Sequence, residues 1–564
     1  MLHEFTSERR IAYFSMEIAL EHGIPTYAGG LGVLAGDTLR SAADLALPMV
    51  GITLASRAGY FEQKIDSLGR QIELPQMWEP AEHAKPALAK VAVSIEHRTV
   101  WVGAWVYCIK GFSGVLVPVL LLDTDLPENS VEDREITHFL YGKDSAYRLK
   151  QEVVLGVGGL RMLQALGFHI LKHHLNEGHS ALLAMELLNR YAYQKRDLRP
   201  GESPYDFPMV RSKCIFTTHT PVEAGHDQFD YPMVERIADG GFMNMEEVRK
   251  LAGAERFNMT RLALSLSDYV NGVAKRHAEV SQRMFPGYEM HAITNGVHPH
   301  TWTSEFFARL YDNYLPGWRH EPELLVRIDQ VPDIAIWDAH QNTKQRLLDR
   351  IKATTGQVLD PSLPIIGFAR RMTAYKRPDL LFSDLERLRG IARQHPFQVV
   401  LAGKAHPNDE GGKHLIEQLH VHMRELANDL PIVYLPGYDM ELALDMVSGV
   451  DLWLNTPLRP LEASGTSGMK SAFNGVPSLS VLDGWWLEGC IEGVTGWAVG
   501  TSMLGDESDD AKDLYGKLES KVLPLYYTDR AGWINLMKGA IGKNASVFNS
   551  HRMIRRYATE AYML

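Results

Sequence analysis

Cysteine and long apolar runs are both scarce in this sequence, and each scarcity excludes a class of protein. The 564 residues include three cysteines, Cys108, Cys214 and Cys490, at no spacing typical of a disulfide framework or a zinc site. This favours a reducing compartment. The longest apolar run, "GVLVPVLLL", is too short to cross a bilayer, and the opening "MLHEFTSERR" has no apolar signal core. We therefore expect a soluble cytoplasmic protein with no membrane span.

An excess of positive charge is also absent. Lysine and arginine number 58 against 69 aspartates and glutamates, which gives a formal net charge of −11. This balance argues against nucleic acid or an anionic membrane as the main partner. No internal repeat and no low-complexity segment stands out. An anion that binds this chain must therefore find a local cluster of basic residues.

The second half of the chain alternates short apolar stretches with helical patterns. The strand candidates are "PIIGFA", "FQVVLAG", "PIVYLPG", "VDLWLN" and "PSLSVLDG", and the helix candidates between them include "PDLLFSDLERLRGIARQ" and "GKHLIEQLHVHMRELANDL". Such alternation predicts βαβ units and a parallel sheet of the α/β class.

The first half predicts a second α/β domain, because 564 residues exceed what one hydrophobic core usually supports. Its strand candidates are "MVGITLAS", "GVLVPVLLLD", "CIFTTHT" and "YVNGVAK", with a helix at "SALLAMELLNRYAYQK". The loop "AITNGVHPHTW" separates the halves. We expect Rossmann-like domains at residues 1–300 and 301–545 that face a central cleft, with a helix at 546–564 packing across both.

The stretch "EASGTSGMK", from Glu462 to Lys470, follows the apolar run "VDLWLN". Its glycines and hydroxyl residues offer backbone N–H groups and hydroxyls, which together can cradle a phosphate. A lysine that forms a Schiff base with pyridoxal phosphate needs such a cradle nearby. Lys470 is therefore a candidate cofactor lysine, although a lysine on a solvated loop is the alternative.

A cluster of cations lies in "IIGFARRMTAYKRPDLL", where Arg370, Arg371, Lys376 and Arg377 fall within eight positions after a predicted strand. Charge runs are usually solvated faces. Guanidinium and ammonium groups at a strand end in a cleft, however, suit a phosphate dianion. We predict that Arg371 and Lys376 bind a phosphate, and that Glu462 and Asn295 lie away from this basic cluster.

Two further motifs have less specific patterns. "YAGGLGVLAGD" has the wrong spacing for a dinucleotide site and is either a tight turn or a nest of backbone amides that binds an anion. "HHLNEGHSALL" and "TTHTPVEAGHD" are rich in histidine, but no standard metal spacing is met. We expect no metal, and interpret these histidines as lining a polar cleft.

Taken together, these motifs resemble those of the α-glucan phosphorylases, the glycogen and maltodextrin phosphorylase family. The similarity runs from "AYFSMEIAL" through "GGLGVLA", "HLNEGHSALL", "FTTHTP", "ITNGVHPHTW" and "RRMTAYKR" to "EASGTSGMKSAFNGVPSLSVLDG". It implies the GT-B glycosyltransferase fold, pyridoxal 5'-phosphate on Lys470, and phosphorolysis of an α-1,4-glucan to α-glucose 1-phosphate with retention of configuration. The implied partners are inorganic phosphate and the glucan, and a homo-oligomer is compatible with the resemblance.

The resemblance also implies roles for individual residues. The cofactor would be contacted by Lys470, Thr466, Gly468, Gly30 and Arg370. The substrate phosphate would be held by Arg371 and Lys376. The glucose hydroxyls would be bound by Glu462, Ser464 and Gly465, with Asn295 at the 6-position and Tyr375 at the 2-hydroxyl. The backbone carbonyl of His219 would face the anomeric carbon, so the residues expected in catalysis are Lys470, Arg371, Lys376 and His219.

Three departures from the large animal enzymes of the family modify these expectations. The chain begins almost at the first shared motif, so we expect no N-terminal regulatory extension and no phosphorylation control. Asp439 follows Tyr438 where those enzymes carry an arginine at the cofactor phosphate, and Arg459 is a candidate substitute. Glu177 stands where they have aspartate, which would alter the loop near the sugar.

The implied mechanism differs from that of ordinary glycosidases, which use a pair of carboxylates. A phosphate with a second pKa near 6 can act as acid or base near neutral pH. In the family picture, the cofactor phosphate relays a proton to the substrate phosphate, which protonates the glycosidic oxygen and then attacks the same face. Two other interpretations stay open: a GT-B transferase that uses a nucleotide sugar, and a glucan-binding protein without activity.

Overall fold

The structure is a computed structural model that describes residues 10–142, 144–194, 196, 198–238, 245–501 and 509–563. The strands are β1 Ile11–Ser15, β2 Met49–Leu54, β3 Glu62–Ile65, β4 Gln71–Leu74, β5 Lys85–Pro86, β6 Val91–Ile95, β7 Arg98–Lys110, β8 Leu116–Asp123, β9 Lys172–Asn176, β10 Cys214–Thr217, β11 Gln228–Phe229, β12 Phe257–Asn258, β13 Tyr269–Gly272, β14 His291–Ala292, β15 Ile365–Ala369, β16 Gln398–Ala402, β17 Ile432–Leu435, β18 Leu452–Asn455, β19 Ser478–Val481 and β20 Gly496–Val499.

The α-helices of the described residues alternate with these strands. They are α1 Gly30–Asp44, α2 Pro80–His83, α3 Val131–Arg134, α4 Ser145–Val153, α5 Gly159–Ala165, α6 Leu182–Arg190, α7 Phe207–Lys213, α8 Tyr231–Ile237, α9 Met245–Ala252, α10 Met259–Ser265, α11 Lys275–Met284, α12 Pro299–Trp302, α13 Glu305–Tyr314, α14 Asp333–Thr355, α15 Leu385–Gln394, α16 Glu410–Glu425, α17 Met440–Gly449, α18 Ser467–Ala472, α19 Trp486–Gly489, α20 Asp510–Lys517, α21 Leu523–Thr528, α22 Arg530–Gly539 and α23 Ser550–Tyr557. No helix of these residues is long and apolar enough to cross a membrane.

The first half of the chain forms a ten-stranded sheet in the order β14-β13-β10-β9-β1-β2-β8-β7-β5, with β6 paired to β7. The strands from β14 to β8 are parallel, and β7 runs antiparallel to β8. Successive residues of β1 enter different cores, because side chains alternate along a strand: Ala12 and Phe14 pack on one face, and Ile11 and Tyr13 on the other. The four strands predicted here are confirmed, and the predicted helix is observed over Leu182–Arg190, with residue 195 outside the described residues.

The second half forms a six-stranded, wholly parallel sheet in the order β17-β16-β15-β18-β19-β20. All five strands predicted in this half are confirmed, and β20 adds an edge strand that was not predicted. Both faces of this sheet are covered by helices, as an all-parallel sheet requires. The α/β class with parallel sheets is therefore confirmed.

A hairpin formed by β3 and β4 bridges the two halves. The amide of Gln63 donates to the carbonyl of Gly403 at 2.8 Å and accepts the N–H of Gly437 at 2.9 Å. The amide of Gln71 donates to the carbonyl of Ala405 and accepts its N–H, both at 3.0 Å. These four bonds, which we call the glutamine clasp, attach the hairpin to the loops that follow β16 and β17.

Helix α23 and the π-helical turn Ala558–Tyr562 return to the first sheet. The Asn271 amide donates to the Tyr557 hydroxyl at 2.9 Å, and the Tyr562 hydroxyl lies 2.7 Å from Nδ1 of His174. Asn271 and His174 are buried polar residues of β13 and β9. The last described segment therefore satisfies polar groups in the interior of the first sheet.

Candidate active site

One cleft collects the loops that follow the strands of both sheets. Its volume is about 850 Å³, and both halves of the chain contribute to its lining. Loops after parallel strands meet at one edge of a sheet, which explains why distant motifs converge here. The lining includes these residues singled out in the sequence: Gly30, His219, Asn295, Arg370, Arg371, Tyr375, Lys376, Glu462, Ser464, Gly465, Thr466 and Lys470.

The lysine loop connects β18 to the short helix α18. Gly465 has a φ of +83°, a left-handed conformation that glycine adopts without strain. A Cβ atom on Gly468 would lie 2.8 Å from the ring of Trp485, so tight packing explains this glycine. The structure does not bring Gly468 to the surface of the cleft, although the resemblance implies a cofactor contact for it.

Lys470 extends from α18 into the cleft and is 7% exposed. Its Nζ lies 3.7 Å from the ring centroid of Trp302. Among the residues that the structure describes, no hydrogen bond or ion pair is found for this amine. Burial lowers the pKa of the Lys470 ammonium to about 8, although the charge of Asp37 opposes the shift. An amine that loses its proton this close to neutral pH can react with a carbonyl group.

Glu462 lies between two of the cleft cations. Its Oε2 is 2.7 Å from Nη2 of Arg370 and 2.7 Å from Nζ of Lys376. Burial alone would raise the pKa of Glu462, but the two cations outweigh burial and hold the pKa below its ordinary value. The prediction that Glu462 lies away from the basic cluster is therefore wrong. The loop after β18 folds onto the loop after β15, where opposite charges attract.

Arg371 differs from its neighbours because its guanidinium forms no ion pair within the described part of the chain. The side chain is exposed to the cleft. Its Nη2 lies 4.0 Å from the position that a Cβ on Gly29 would take. Nearby, the Lys376 ammonium lies 4.5 Å from the ring centroid of Tyr375. Arg371 can therefore bind an anion in the cleft without first leaving a protein partner.

The other two arginines of this region form ion pairs outside the cleft. Arg377 and Arg459 both bind the buried carboxylate of Asp510, at 2.6 and 2.9 Å. Neither arginine lines the cleft. The structure thus argues against Arg459 as a substitute for the missing cofactor-phosphate arginine. Asp439 does line the cleft, and its Oδ1 caps α17 by accepting the N–H of Leu442 at 2.8 Å.

Glu177 fixes the backbone at His219. Its Oε2 accepts the N–H of His219 at 2.7 Å and the hydroxyl of Thr220 at 3.0 Å. Burial raises the pKa of Glu177 to about 7, although these hydrogen bonds act to lower it. Burial also lowers the pKa of the His219 imidazole to about 3, so the ring is neutral at physiological pH. This arrangement therefore holds the His219 peptide in place rather than supplying a charged ring.

Two buried side-chain oxygens of the cleft lining have no hydrogen-bond partner in the described structure. They are Oδ1 of Asn295 and Oγ of Ser464. A buried amide or hydroxyl oxygen without a partner costs about 1–3 kcal/mol. A ligand rich in hydroxyl groups would satisfy both atoms.

The histidines of the two histidine-rich motifs are dispersed. His174 lies 2.8 Å from the Thr217 hydroxyl, and Nδ1 of His226 lies 2.8 Å from the Thr260 hydroxyl. Within the ranges that the structure describes, the potential metal ligands that converge lie elsewhere, at the buried group Asp44, His298 and His551. There the Asp44 carboxylate is 2.8 Å from the His298 ring and 3.1 Å from the His551 ring.

Glu17 is a cleft residue that the sequence interpretation missed. Its Oε2 accepts the N–H groups of Ala28 and Gly29 at 2.6 and 3.0 Å, and its Oε1 accepts the Tyr141 hydroxyl at 2.9 Å. Two amides of the glycine-rich turn are therefore occupied by a protein carboxylate. The N–H of Gly30, the first residue of α1, has no acceptor within the helix. The available signal was an acidic residue inside the apolar stretch "AYFSMEIAL".

The sequence of this chain is similar to the sequences of known proteins. The sequence profile described as carbohydrate phosphorylase matches residues 240–494. The chain is 39% identical to the maltodextrin phosphorylase of Thermococcus litoralis, over 98% of this chain and 70% of the relative. It is 36% identical to the glycogen phosphorylase of Aquifex aeolicus, over 99% of this chain and 87% of the relative. It is 35% identical to that of Mycobacterium tuberculosis, over 98% and 70%. The chain belongs to the carbohydrate phosphorylase family.

Proposed function

We propose that this protein is an α-1,4-glucan phosphorylase. It would cleave glycogen or maltodextrin reversibly from the non-reducing end with inorganic phosphate, and release α-glucose 1-phosphate with retention of configuration. The observation that carries the proposal is the convergence of Lys470, Arg371 and Lys376 in one cleft of a family member. The names of the similar proteins support the substrate class.

The environments of two cleft carboxylates support a mechanism in which phosphate, rather than a pair of carboxylic acids, donates the proton to the leaving oxygen. Glu462 is held as an anion by two cations, and Glu177 accepts hydrogen bonds from the backbone at His219. The raised pKa of Glu177 would suit a proton donor, but its Oε2 is engaged by the His219 N–H and the Thr220 hydroxyl. Glu462 is charged, so the two do not form a glycosidase pair in which one acid donates a proton directly to the leaving oxygen. A phosphate dianion bound by Arg371 and Lys376 would supply that proton and then attack the anomeric carbon.

The remaining cleft residues would orient the sugar. We infer that Glu462, Ser464 and Gly465 bind glucose hydroxyls, that Asn295 binds the 6-hydroxyl and that Tyr375 binds the 2-hydroxyl. The unpartnered oxygens of Ser464 and Asn295 support this assignment, because each needs a hydrogen-bond partner. The His219 carbonyl would face the anomeric carbon, and Glu177 would keep that peptide in place.

The cleft residues fit pyridoxal 5'-phosphate. Lys470 is buried without a hydrogen-bond partner in the described chain, and the Trp302 ring beside it offers a flat apolar surface. A Cβ on Gly30 would meet nothing within 4 Å, so open space lies next to that backbone. Lys470 would hold the cofactor, with Thr466, Gly30 and Arg370 near its phosphate. The bound cofactor would supply a phosphate group that can donate and accept a proton near neutral pH.

We further propose the GT-B arrangement for the two sheets, with Rossmann-like domains at residues 1–300 and 301–545. The parallel strands in each half and the cleft between their loops support this assignment. The segment 546–564 would pack back across both domains, and the ion pairs of Arg555 with Glu321 and Glu323 support its contact with the second. The hydrogen bonds that Tyr557 and Tyr562 form with Asn271 and His174 support its contact with the first.

Glucose 1-phosphate release tests the function directly. Purified protein should contain about one pyridoxal phosphate per chain and release glucose 1-phosphate from glycogen or maltooligosaccharides in the presence of phosphate. Lys470→Ala should lose both the cofactor and the activity, because the amine that would hold the cofactor is removed. Full cofactor occupancy and turnover in Lys470→Ala would refute the assignment.

Lys538→Ala is a matched control, since Lys538 is also a buried lysine but pairs with Asp333 outside the cleft. It should retain cofactor and turnover. A nucleotide-sugar transferase would instead contain no pyridoxal phosphate and would extend a glucan from a sugar nucleotide. A glucan-binding protein without activity would bind maltooligosaccharides but release no glucose 1-phosphate.

A further inference from the structure

Asp37 is a buried carboxylate to which neither the sequence motifs nor the proposed reaction assigns a role. It lies two turns into α1 and is 1% exposed. Its Oδ2 accepts the backbone N–H of His298 at 3.1 Å and the indole N–H of Trp302 at 2.8 Å. Its Oδ1 has no hydrogen-bond partner among the described residues, and Nη1 of Arg40 lies 3.6 Å away. A buried carboxylate with an incompletely paired oxygen destabilises a fold, so its presence needs a second reason.

The partner of Asp37, Trp302, is in direct contact with the cofactor lysine. The Lys470 ammonium lies 3.7 Å from the Trp302 ring centroid. The Asn474 amide donates to the carbonyl of Trp302 at 2.7 Å and to the carbonyl of Lys470 at 3.1 Å. The tryptophan is therefore held at two points, by Asp37 through the indole N–H and by Asn474 through the backbone. This double attachment fixes the indole face against the amine.

Asp37 also acts on Lys470 through its charge. Burial lowers the pKa of Lys470, and the Asp37 carboxylate is the group that raises it. In the other direction, burial raises the pKa of Asp37, while Arg40 and Lys470 both lower it. The charged groups that act on this carboxylate are thus Arg40 on the same helix and Lys470 on α18. His298 and Trp302 contribute uncharged N–H donors.

We propose that Asp37 is a positioning residue for Lys470, which orients the indole of Trp302 against the amine and supplies the negative charge that favours a proton on the lysine nitrogen. This inference rests on the proposed function, because it gives Lys470 the task of holding pyridoxal phosphate. Helix α1 of the first half would thus help to set the surroundings and the protonation of Lys470, which belongs to the second half. The cofactor site would then be complete only when both halves are packed together.

If the role of Asp37 were purely structural, its side chain would need to accept hydrogen bonds but would not need a charge. Two N–H donors on one oxygen need only an acceptor, and the amide oxygen of asparagine supplies one of nearly the same shape. A role toward Lys470 needs the negative charge as well. One isosteric substitution, Asp37→Asn, therefore separates the two interpretations.

The test is a titration of the Lys470 side chain in the full-length protein before cofactor is added. Carbon-13 labelled lysine would be followed by NMR, with the Lys470 signal assigned from its loss in Lys470→Ala. Asp37→Asn should lower the pKa of Lys470 by about one unit, the size of effect that a nearby opposite charge produces. The indole N–H signal of Trp302 should stay in place. In the loaded protein, pyridoxal phosphate should dissociate about tenfold faster, the equivalent of one pKa unit.

Asp445→Asn is the control, because Asp445 is another buried carboxylate but pairs with Arg346 and Arg350 on α14. It should change neither the Lys470 titration nor cofactor release. The proposal is overturned if Asp37→Asn matches the wild type in both measurements, or if Asp445→Asn shifts them equally. A wild-type protein that takes up no pyridoxal phosphate would instead refute the proposed function, and the NMR titration would still decide whether Asp37 acts on Lys470.

Discussion

Replacing Glu462 with glutamine tests how the cleft balances its charges. The Glu462 carboxylate is 5% exposed and contacts Arg370 and Lys376, each at 2.7 Å. Glutamine keeps the shape of the side chain but removes the negative charge, which leaves two cations close together. Removing one partner of a buried ion pair costs about 3–5 kcal/mol. We expect about 3 kcal/mol here, since the cations face a cleft that water can enter.

The same substitution should strengthen phosphate binding. In the wild type, phosphate competes with Glu462 for the Lys376 ammonium, and the carboxylate repels the dianion. Without that carboxylate, phosphate should bind about tenfold more tightly, or about 1.4 kcal/mol. Turnover should nevertheless fall by about 10², because a charge-assisted hydrogen bond to the sugar is lost. The variant would therefore bind phosphate better while it reacts more slowly.

The assay combines thermal unfolding at increasing phosphate concentration with initial rates of glucose 1-phosphate release. Phosphate should raise the unfolding midpoint of Glu462→Gln more than that of the wild type. Asp510→Asn is the matched control, because Asp510 also holds two arginines but lies outside the cleft lining. It should lose stability without any change in the response to phosphate. Weaker phosphate binding in Glu462→Gln, or an undiminished turnover, would refute the reasoning.

Two further predictions concern the phosphate site and the buried histidines. Lys376→Ala should keep pyridoxal phosphate but slow phosphorolysis by about 10²–10³, with weaker saturation by phosphate, because one preorganised charged donor is lost. A variant stripped of cofactor would show that Lys376 belongs to the cofactor site instead. Burial lowers the pKa of His174 to about 3, so below pH 6.5 the unfolded chain binds a proton that the folded ring does not. The free energy of unfolding should therefore fall by about 1.4 kcal/mol per pH unit for this residue between pH 6 and 4. Urea unfolding at pH 7 and pH 5 measures the effect. If the free energy of unfolding depends less on pH in His174→Asn than in the wild type, the difference belongs to His174. An identical pH dependence in the two proteins would contradict the assignment.

The sequence predicts every strand of the second sheet except β20, and four strands of the first sheet, because each is a short apolar run bounded by turn residues. The β1 strand was missed, since "AYFSMEIAL" reads as one apolar stretch with an acid inside it. The edge strand β20 was missed because "GWAVG" has too few apolar residues to stand out from a loop. The strands β5, β6, β7, β9 and β14 of the first sheet were also not predicted.

The cleft residues were predictable where they belong to compact motifs, as at Lys470 and Arg371. Their pairing was not, because it depends on contacts between motifs. Glu462 is 86 positions from Lys376, and nothing local to either residue indicates that they form an ion pair. Arg459 is a similar case, since its partner Asp510 lies 51 positions away. Asp37 ends the motif "YAGGLGVLAGD", but nothing in that motif indicates its contact with Trp302, which is 265 positions distant.

The four hydrogen bonds of the glutamine clasp limit how far the two walls of the cleft can separate. Rotation of one sheet away from the other would break the bonds of Gln63 and Gln71 together. At about 1 kcal/mol each, they make an opened state about 4 kcal/mol less favourable, or about one molecule in a thousand. A long polymer would then enter by sliding its free end inward rather than by lateral insertion. We expect such an entrance to favour a linear glucan over a cyclic one of the same sugar.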